Sequence, residues 1–106
     1  MSDSSNAITQ VDICDVGARD GLQSEKRIWS VAERVQLINR LARTGIQRIE
    51  AASFVNPKRV PQMDGAEQVV ADIDRPEGVR IAGLALNAKG VARALEAKVD
   101  EIRYAV

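Results

Sequence analysis

Residues 16–23 place an arginine and an aspartate side by side between glycines, in the order Val-Gly-Ala-Arg-Asp-Gly-Leu-Gln. Gly17 and Gly21 allow the backbone to turn sharply around the pair. In such a turn the Asp20 carboxylate can bind a hard divalent cation. The Arg19 guanidinium can neutralise negative charge that develops on a carbonyl oxygen. The same residues also fit an exposed turn with a local ion pair, and spacing alone favours that simpler interpretation.

A second carboxylate, Glu50, lies late in the predicted strand of residues 46–52, between the apolar residues Ile49 and Ala51. A carboxylate among apolar residues is costly unless it is paired or lies at the open end of a strand. Glu50 is therefore predicted either to form a buried structural pair with an arginine or to serve a site. In a site it would act as the partner of Arg19 or as a proton carrier. Spacing leaves these alternatives open.

The other side chains that do chemistry are few. The chain has no histidine, so an imidazole ligand or base would have to come from elsewhere. Cys14 has no basic neighbour in sequence, and we expect it in the interior of the fold rather than as a nucleophile. Loop cations at Lys26, Lys58 and Arg59 can either meet phosphates or remain solvated. The sequence contains no phosphate-binding glycine motif of the Walker or dinucleotide type.

Composition excludes several classes of protein. The charges of fifteen basic and fifteen acidic residues cancel, so a nucleic-acid binder is not expected. There is one residue each of Trp, Tyr and Phe, too few for a base-stacking surface. A single cysteine cannot form an internal disulfide. No apolar stretch approaches the ~20 residues needed to cross a bilayer. The polar first ten residues do not resemble a secretory signal or a mitochondrial presequence, so a cytoplasmic location is expected.

Periodicity predicts alternating strands and helices. Ser30 and Glu33 form a capping-box pattern at the start of one helix, and Gly45 follows its end. Asn87 is a candidate N-cap for another. The predicted strands are residues 11–16, 46–52, 79–86 and 101–106, and the predicted helices are residues 31–42, 66–73 and 88–97.

This alternation predicts a parallel sheet with right-handed crossovers. Either a small open α/β sheet or part of a (β/α)₈ barrel satisfies it. A whole barrel needs about 250 residues, so 106 residues could supply about half of one. The expected organisation is a polar N-terminal tail, residues 1–10, followed by one partial barrel domain, residues 11–106. In a barrel, Arg19 and Glu50 would lie at the same, C-terminal end of the strands.

Two segments resemble a known superfamily, the lyases and synthases named for an Asp-Arg-Glu trio on a TIM barrel. The first is Gly-Ala-Arg-Asp-Gly-Leu-Gln at residues 17–23, together with Glu50. The second is Ser-Phe-Val-Asn-Pro-Lys-Arg-Val-Pro-Gln-Met at residues 53–63, which is similar to the hydroxymethylglutaryl-CoA lyase branch rather than to the synthases. The resemblance extends from about residue 12 to residue 106. It implies the N-terminal half of a TIM (β/α)₈ barrel, with four parallel strands and three helices.

The resemblance also implies an activity: cleavage of 3-hydroxy-3-methylglutaryl-CoA to acetyl-CoA and acetoacetate, aided by Mg²⁺ or Mn²⁺. By this comparison Asp20 would be a metal ligand. Arg19 would bind the substrate and stabilise the enolate oxygen, and Glu50 would orient that arginine or help to move protons. Gln23 and Ser53 would line the substrate site.

The sequence departs from the family's pattern in several places. The family's other metal ligands are two histidines of a His-x-His motif and an asparagine, and its catalytic cysteine lies in a later loop. None of these has a counterpart here, and Cys14 matches none of them, so the chain alone is expected to be inactive. Asp15 stands where many relatives have Glu. Lys98 stands where relatives often have a glycine that ends a helix.

Three interpretations therefore remain open from the sequence. The first is the hydroxymethylglutaryl-CoA lyase, which acts on an acyl-CoA. The second is a related acyl-CoA aldol lyase or synthase, including a lyase for a longer-chain substrate. The third is a non-catalytic fragment that self-associates through open sheet edges. Members of the family are often homo-oligomeric.

Overall fold

The computed structural model describes residues 13–105. Residues 1–12 and 106 lie outside this range, and with them the predicted N-terminal tail and the first two residues of the predicted first strand. No helix within the described range is long and apolar enough to cross a membrane. The strands are β1 (Cys14–Asp15), β2 (Arg48–Ser53), β3 (Arg80–Ala85) and β4 (Glu101–Tyr104), and the helices are α1 (Val31–Ala42), α2 (Ala66–Asp72) and α3 (Ala88–Ala97).

The four strands form one parallel sheet in the order in which they occur along the chain, β1-β2-β3-β4. Ile49 at the centre of this sheet pairs with Asp15 on one side and with Ile81 on the other. The parallel α/β fold predicted from the alternation of elements is therefore confirmed. β1 ends one residue earlier than predicted, because Val16 turns away from the sheet instead of extending the strand.

Helix α1 begins at the predicted capping box. The Glu33 amide donates to Ser30 Oγ at 3.1 Å, and the Ser30 amide donates to Glu33 Oε1 at 3.0 Å. The hydrogen bond from the Ser30 amide, followed by the Arg27 guanidinium, holds the pKa of the Glu33 carboxyl below its ordinary value. The helix ends at the predicted place, and Gly45 follows it with a φ of 89°.

The helices cover one face of the sheet, called here the helix face. Its core contains Ile38 of α1, Val69 of α2, and Ile49 and Ile81 of the central strands, all fully buried. A second buried cluster surrounds Phe54, just beyond the end of β2. The opposite face, called here the open face, is charged. It carries Arg48, Glu50, Arg80, Glu101 and Arg103, which are linked by ion pairs.

Strand β2 contains a β-bulge at Ala51. Glu50 and Ala52 pair with consecutive residues of β3, so Ala51 is an extra residue between them. Such bulges are rare between parallel strands, and they change the phase in which side chains alternate between the two faces. Ala51 and Ala52 both pack in the cores of the helix face. Ser53 consequently shares the open face with Glu50.

Helix α3 begins at the predicted N-cap, where the Gly90 amide donates to Asn87 Oδ1 at 2.8 Å. A β-carbon at Gly90 would lie 2.6 Å from the Phe54 carbonyl oxygen, so glycine allows the helix to approach the end of β2 closely. The helix ends at Lys98 in the left-handed conformation, with a φ of 63°. This backbone geometry normally favours glycine.

Candidate active site

The turn that carries Arg19 and Asp20 is a π-helical turn over Gly17–Gly21, where the sequence predicted only an irregular loop. The Val16 carbonyl accepts from the amides of Asp20 at 2.7 Å and Gly21 at 3.3 Å. A π-turn holds one more residue than an α-turn, and such turns occur frequently at functional sites. The flanking glycines were the only sequence signal for this geometry.

Arg19 and Glu50 are in direct contact. Arg19 Nε donates to Glu50 Oε1, and the side chains are 16% and 4% exposed, respectively. The contact predicted between Glu50 and Arg19 is therefore present. Glu50 is the third residue of β2, and Arg19 lies in the turn that follows β1. A charge-assisted hydrogen bond of this kind is strong and directional. Nη1 of the same guanidinium lies 3.2 Å from Asp20 Oδ1.

Arg103 of β4 makes a second contact with Glu50 that the sequence did not reveal. Its Nε lies 3.5 Å from Glu50 Oε2, so each oxygen of the carboxylate faces a different guanidinium. Arg103 also lies 3.8 Å from Glu101. The available signal was a charged residue at an alternate position of a predicted strand, where an apolar side chain is expected in a barrel interior.

Gln23 and Ser53 also meet. Ser53 Oγ donates to Gln23 Oε1 at 3.1 Å, and Ser53 is fully buried. The bulge in β2 is the reason that Ser53 can face the segment after the π-turn. Four of the five predicted site residues therefore form two contacts between the first loop and the second strand, Arg19 with Glu50 and Gln23 with Ser53.

Asp20, the predicted metal ligand, is largely exposed, with 67% of its side chain accessible to solvent. A hard divalent cation takes about six oxygen ligands. Within residues 13–105 no group of three or more His, Cys, Asp or Glu side chains lies close enough together to hold a metal ion. The described residues thus fit one ligand of such a site and do not complete it. Cys14 is half-buried on β1, so its expected interior position is present only in part.

A basic cleft of about 510 Å³ adjoins the site at the loops that follow β2 and β3. Among its lining residues, Arg93 is tied to Glu67 through Nε–Oε2 at 2.5 Å and Nη2–Oε1 at 2.9 Å. Lys58 and Lys89 also line the cleft, and neither forms an ion pair within the described part of the chain. Asn56 and Asn87 line both this cleft and a depression that includes Gln23, so the cleft is continuous with the site.

The Arg93–Glu67 pair shifts the titration of both groups. Hydrogen bonds from Arg93 lower the pKa of the Glu67 carboxyl below its ordinary value, and the same contact raises the pKa of Arg93. Arg93 Nη1 also donates to the Val55 carbonyl at 2.9 Å, and the guanidinium lies 5.7 Å from the centre of the Phe54 ring. Arg93 is therefore anchored in the wall of the cleft, which leaves the two lysines as its unpaired cations among the described residues.

The parallel α/β sheet carries an arginine–glutamate pair between the turn that follows β1 and strand β2, an arrangement that part of a (β/α)₈ barrel can contain. Residues 10–106 match the family described as HMGL-like, and the chain belongs to this family. It is 45% identical over 97 residues to the 3-hydroxy-3-isohexenylglutaryl-CoA/hydroxy-methylglutaryl-CoA lyase of Pseudomonas aeruginosa, covering 92% of this chain and 32% of that protein. It is 44% identical over 93 residues to a hydroxymethylglutaryl-CoA lyase of Bacillus subtilis, covering 87% and 31%.

Solved structures agree with this assignment. The HMG-CoA lyase from Brucella melitensis superposes with a TM-score of 0.86 at 49% identity, covering 89% of this chain and 33% of that one. An HMG-CoA lyase from Acinetobacter baumannii, in complex with coenzyme A and 3-methylmalate, gives a TM-score of 0.87 at 36% identity, covering 98% and 33%. The chain thus spans about a third of the length of its relatives. Its sheet corresponds to the N-terminal part of their TIM barrel, as the sequence predicted.

Proposed function

We propose that this chain forms part of a divalent-metal-dependent lyase that cleaves 3-hydroxy-3-methylglutaryl-CoA to acetyl-CoA and acetoacetate. The observation that carries the proposal is the nearly buried contact between Arg19 and Glu50, beside the exposed carboxylate of Asp20. Membership of the HMGL-like family supports it.

The geometry suggests a role for each residue. Glu50 accepts the hydrogen bond from Arg19 Nε, whereas Arg19 Nη2 has no hydrogen-bond partner within residues 13–105. That nitrogen can donate to the thioester oxygen, on which negative charge develops as the carbon–carbon bond breaks. Glu50 holds the guanidinium in place before the reaction, so little ordering is needed at the transition state. Gln23 and Ser53 would contact the substrate at the adjoining part of the site.

Asp20 would supply one ligand to the divalent metal, and the remaining ligands would come from outside this chain. When bound, such a metal polarises substrate oxygens as a Lewis acid. Because the Asp20 side chain is largely exposed, it is accessible to a cation without rearrangement of the core.

The basic cleft supports an acyl-CoA as the substrate class. Coenzyme A carries phosphates. Lys58 and Lys89 place two cations beside the site, and neither has a carboxylate partner among residues 13–105. The A. baumannii relative has been solved with coenzyme A bound. A longer-chain 3-hydroxyglutaryl-CoA is a second candidate substrate, because the P. aeruginosa relative is named for the isohexenyl thioester as well.

A hybrid enzyme tests the proposal. This chain would replace the matching segment of the P. aeruginosa lyase, and acetoacetate release from hydroxymethylglutaryl-CoA would be followed with Mg²⁺ or Mn²⁺, in parallel with cleavage of the isohexenyl thioester. We expect metal-dependent activity in the hybrid and none in the chain alone. A folded hybrid inactive on both thioesters would refute the lyase assignment. Activity of the chain alone that is lost in Asp20→Ala would refute the expected inactivity.

The same hybrid separates the roles of Arg19 and Asp20. Arg19→Met should reduce kcat/KM by an amount that corresponds to a few kcal/mol of transition-state stabilisation, because the guanidinium acts mainly as charge develops. The metal affinity of this variant should stay near that of the parent hybrid. Asp20→Ala should weaken metal binding itself. Equal losses of metal affinity in the two variants would contradict this division.

A further inference from the structure

Both oxygens of the Glu50 carboxylate are engaged, each by a different arginine. Arg19 Nε donates to Oε1, and Arg103 Nε lies 3.5 Å from Oε2. Arginine remains protonated in proteins and has no acceptor. A nearly buried carboxylate held from two sides by permanent cations has little freedom to rotate. This arrangement favours an orienting role for Glu50 over a proton-carrying one.

The reach of Arg103 depends on a small residue between the two strands. Glu50 pairs in register with Ala82 of β3, and Ala82 pairs with Glu101 of β4. Arg103 is two residues further along β4, on the same face, so it must extend across β3 to approach Glu50. Two strand spacings amount to about 9.6 Å. The Ala82 methyl group leaves room above the sheet for the guanidinium to cover this distance.

We propose that Arg103 is a positioning residue, which holds Glu50 Oε2 so that Oε1 faces Arg19 Nε and the Arg19 guanidinium keeps one orientation. The effect of this arrangement on catalysis rests on the proposed lyase function. The contacts among the three side chains do not depend on that function. The Glu101 carboxylate keeps a charged partner when Arg103 is removed, because Arg48 Nε donates to it at 3.0 Å. Loss of Arg103 would therefore act mainly on Glu50.

Nuclear magnetic resonance of the whole chain, labelled with ¹⁵N-arginine, tests the proposal. The readout is the exchange with water of the Arg19 Nε–H proton, identified by its loss in Arg19→Lys. We expect slow exchange in the parent and a several-fold faster exchange in Arg103→Met. Arg103→Lys should restore most of the protection, because an ammonium group returns the positive charge to Glu50.

Arg80→Met is the matched control. Arg80 also belongs to the open face, but its contact is with Glu101 at 3.9 Å and not with Glu50. The Arg80→Met variant should show the same rate of Arg19 Nε–H exchange as the parent. If the amide spectrum of Arg103→Met loses its dispersion, that variant is not folded. Arg103→Gln, a neutral polar replacement, then takes its place in the measurement. Parent-like exchange in the folded neutral variant, or equal acceleration in Arg80→Met, would overturn the proposal.

The enzymatic consequence is measured separately in the hybrid. There Arg103→Met should lower kcat more than it changes KM, because the substrate contacts of Arg19 remain while its orientation is less well defined. An inactive parent hybrid would refute the lyase function without affecting the exchange result. Accelerated exchange with an unchanged kcat would refute the positioning role in catalysis.

Discussion

Gly83 of β3 lies directly against the ring of Phe54. A β-carbon at residue 83 would come within 2.5 Å of Phe54 Cε2 and 3.1 Å of Cδ2. Phe54 is almost fully buried at the end of β2, in the cluster that joins the sheet to α2 and α3. The absence of a side chain at residue 83 therefore allows the Phe54 ring to occupy this position.

Gly83→Ala should destabilise the chain by about 1–3 kcal/mol, because the added methyl group overpacks a well-filled site. Urea denaturation of the two proteins measures the difference. Phe54→Leu should relieve part of the clash, so the double variant should be more stable than the sum of the single changes predicts. Strict additivity would show that the two residues do not compete for the same space.

Lys98→Gly should stabilise the chain by about 1 kcal/mol, because a non-glycine residue in the left-handed region carries a strain of roughly this size. The gain is reduced by the greater freedom that glycine gives the unfolded chain. Lys98→Ala is the control, since it removes the side-chain charge but not the strain. A Lys98→Gly variant no more stable than Lys98→Ala in urea would contradict this account.

The contribution of the Glu67–Arg93 pair should depend on pH. Because the folded state lowers the pKa of Glu67, the pair stabilises the fold above the unfolded-state pKa, about 4.5. The stabilisation is lost as pH falls through the lower, folded-state value. Glu67 is 47% exposed, so solvent screening limits the effect to about 1 kcal/mol or less.

Glu67→Gln should accordingly be less stable than the parent at pH 7, and the difference should shrink at pH 3. Glu96→Gln, at an exposed position of α3, removes a carboxylate without contact to Arg93 and serves as the matched control. The measurement is urea denaturation at both pH values. A constant difference between Glu67→Gln and the parent across this range would show that the ion pair does not account for the stability.

Lys58→Ala and Lys89→Ala should each weaken coenzyme A binding to the hybrid enzyme by about fivefold, the effect of one exposed charge contact. Pantetheine, which lacks the nucleotide phosphates, should bind the variants and the parent equally. Titration calorimetry with both compounds makes the comparison. Lys98→Ala is the control, because Lys98 lies at the C-terminal end of α3 and does not line the cleft. Equal weakening of pantetheine binding would indicate that the lysines do not contact phosphates.

Local sequence signals predicted the elements well. Ser30 with Glu33, and Asn87, have side chains that satisfy amides at helix starts, and this chemistry operates within a few residues. The alternation of strands and helices predicted the parallel sheet for a different reason, because the order of the elements leaves few ways to pack them. The helix starts follow from interactions between near neighbours, and the sheet follows from the order of the elements.

The site was harder to predict, because its geometry depends on contacts between distant residues. Simple alternation along β2 places Ser53 on the helix face, and only the bulge brings it to Gln23. Ser53 was identified through resemblance to a family, and the structure supplies the physical reason. Arg103 was missed because its importance depends on Ala82 leaving space on the intervening strand. A bulge and a gap of this kind have no local signature.

The strand order of the sheet has a consequence for how the molecule forms. Each strand pairs with the one synthesised immediately before it, so no segment has to be inserted between two strands already in place. Each pairing closes only the crossover connection between two consecutive strands, and the entropic cost of that closure grows slowly with its length. The sheet can therefore grow strand by strand as the chain leaves the ribosome, with β4 presenting the edge onto which a following strand would assemble.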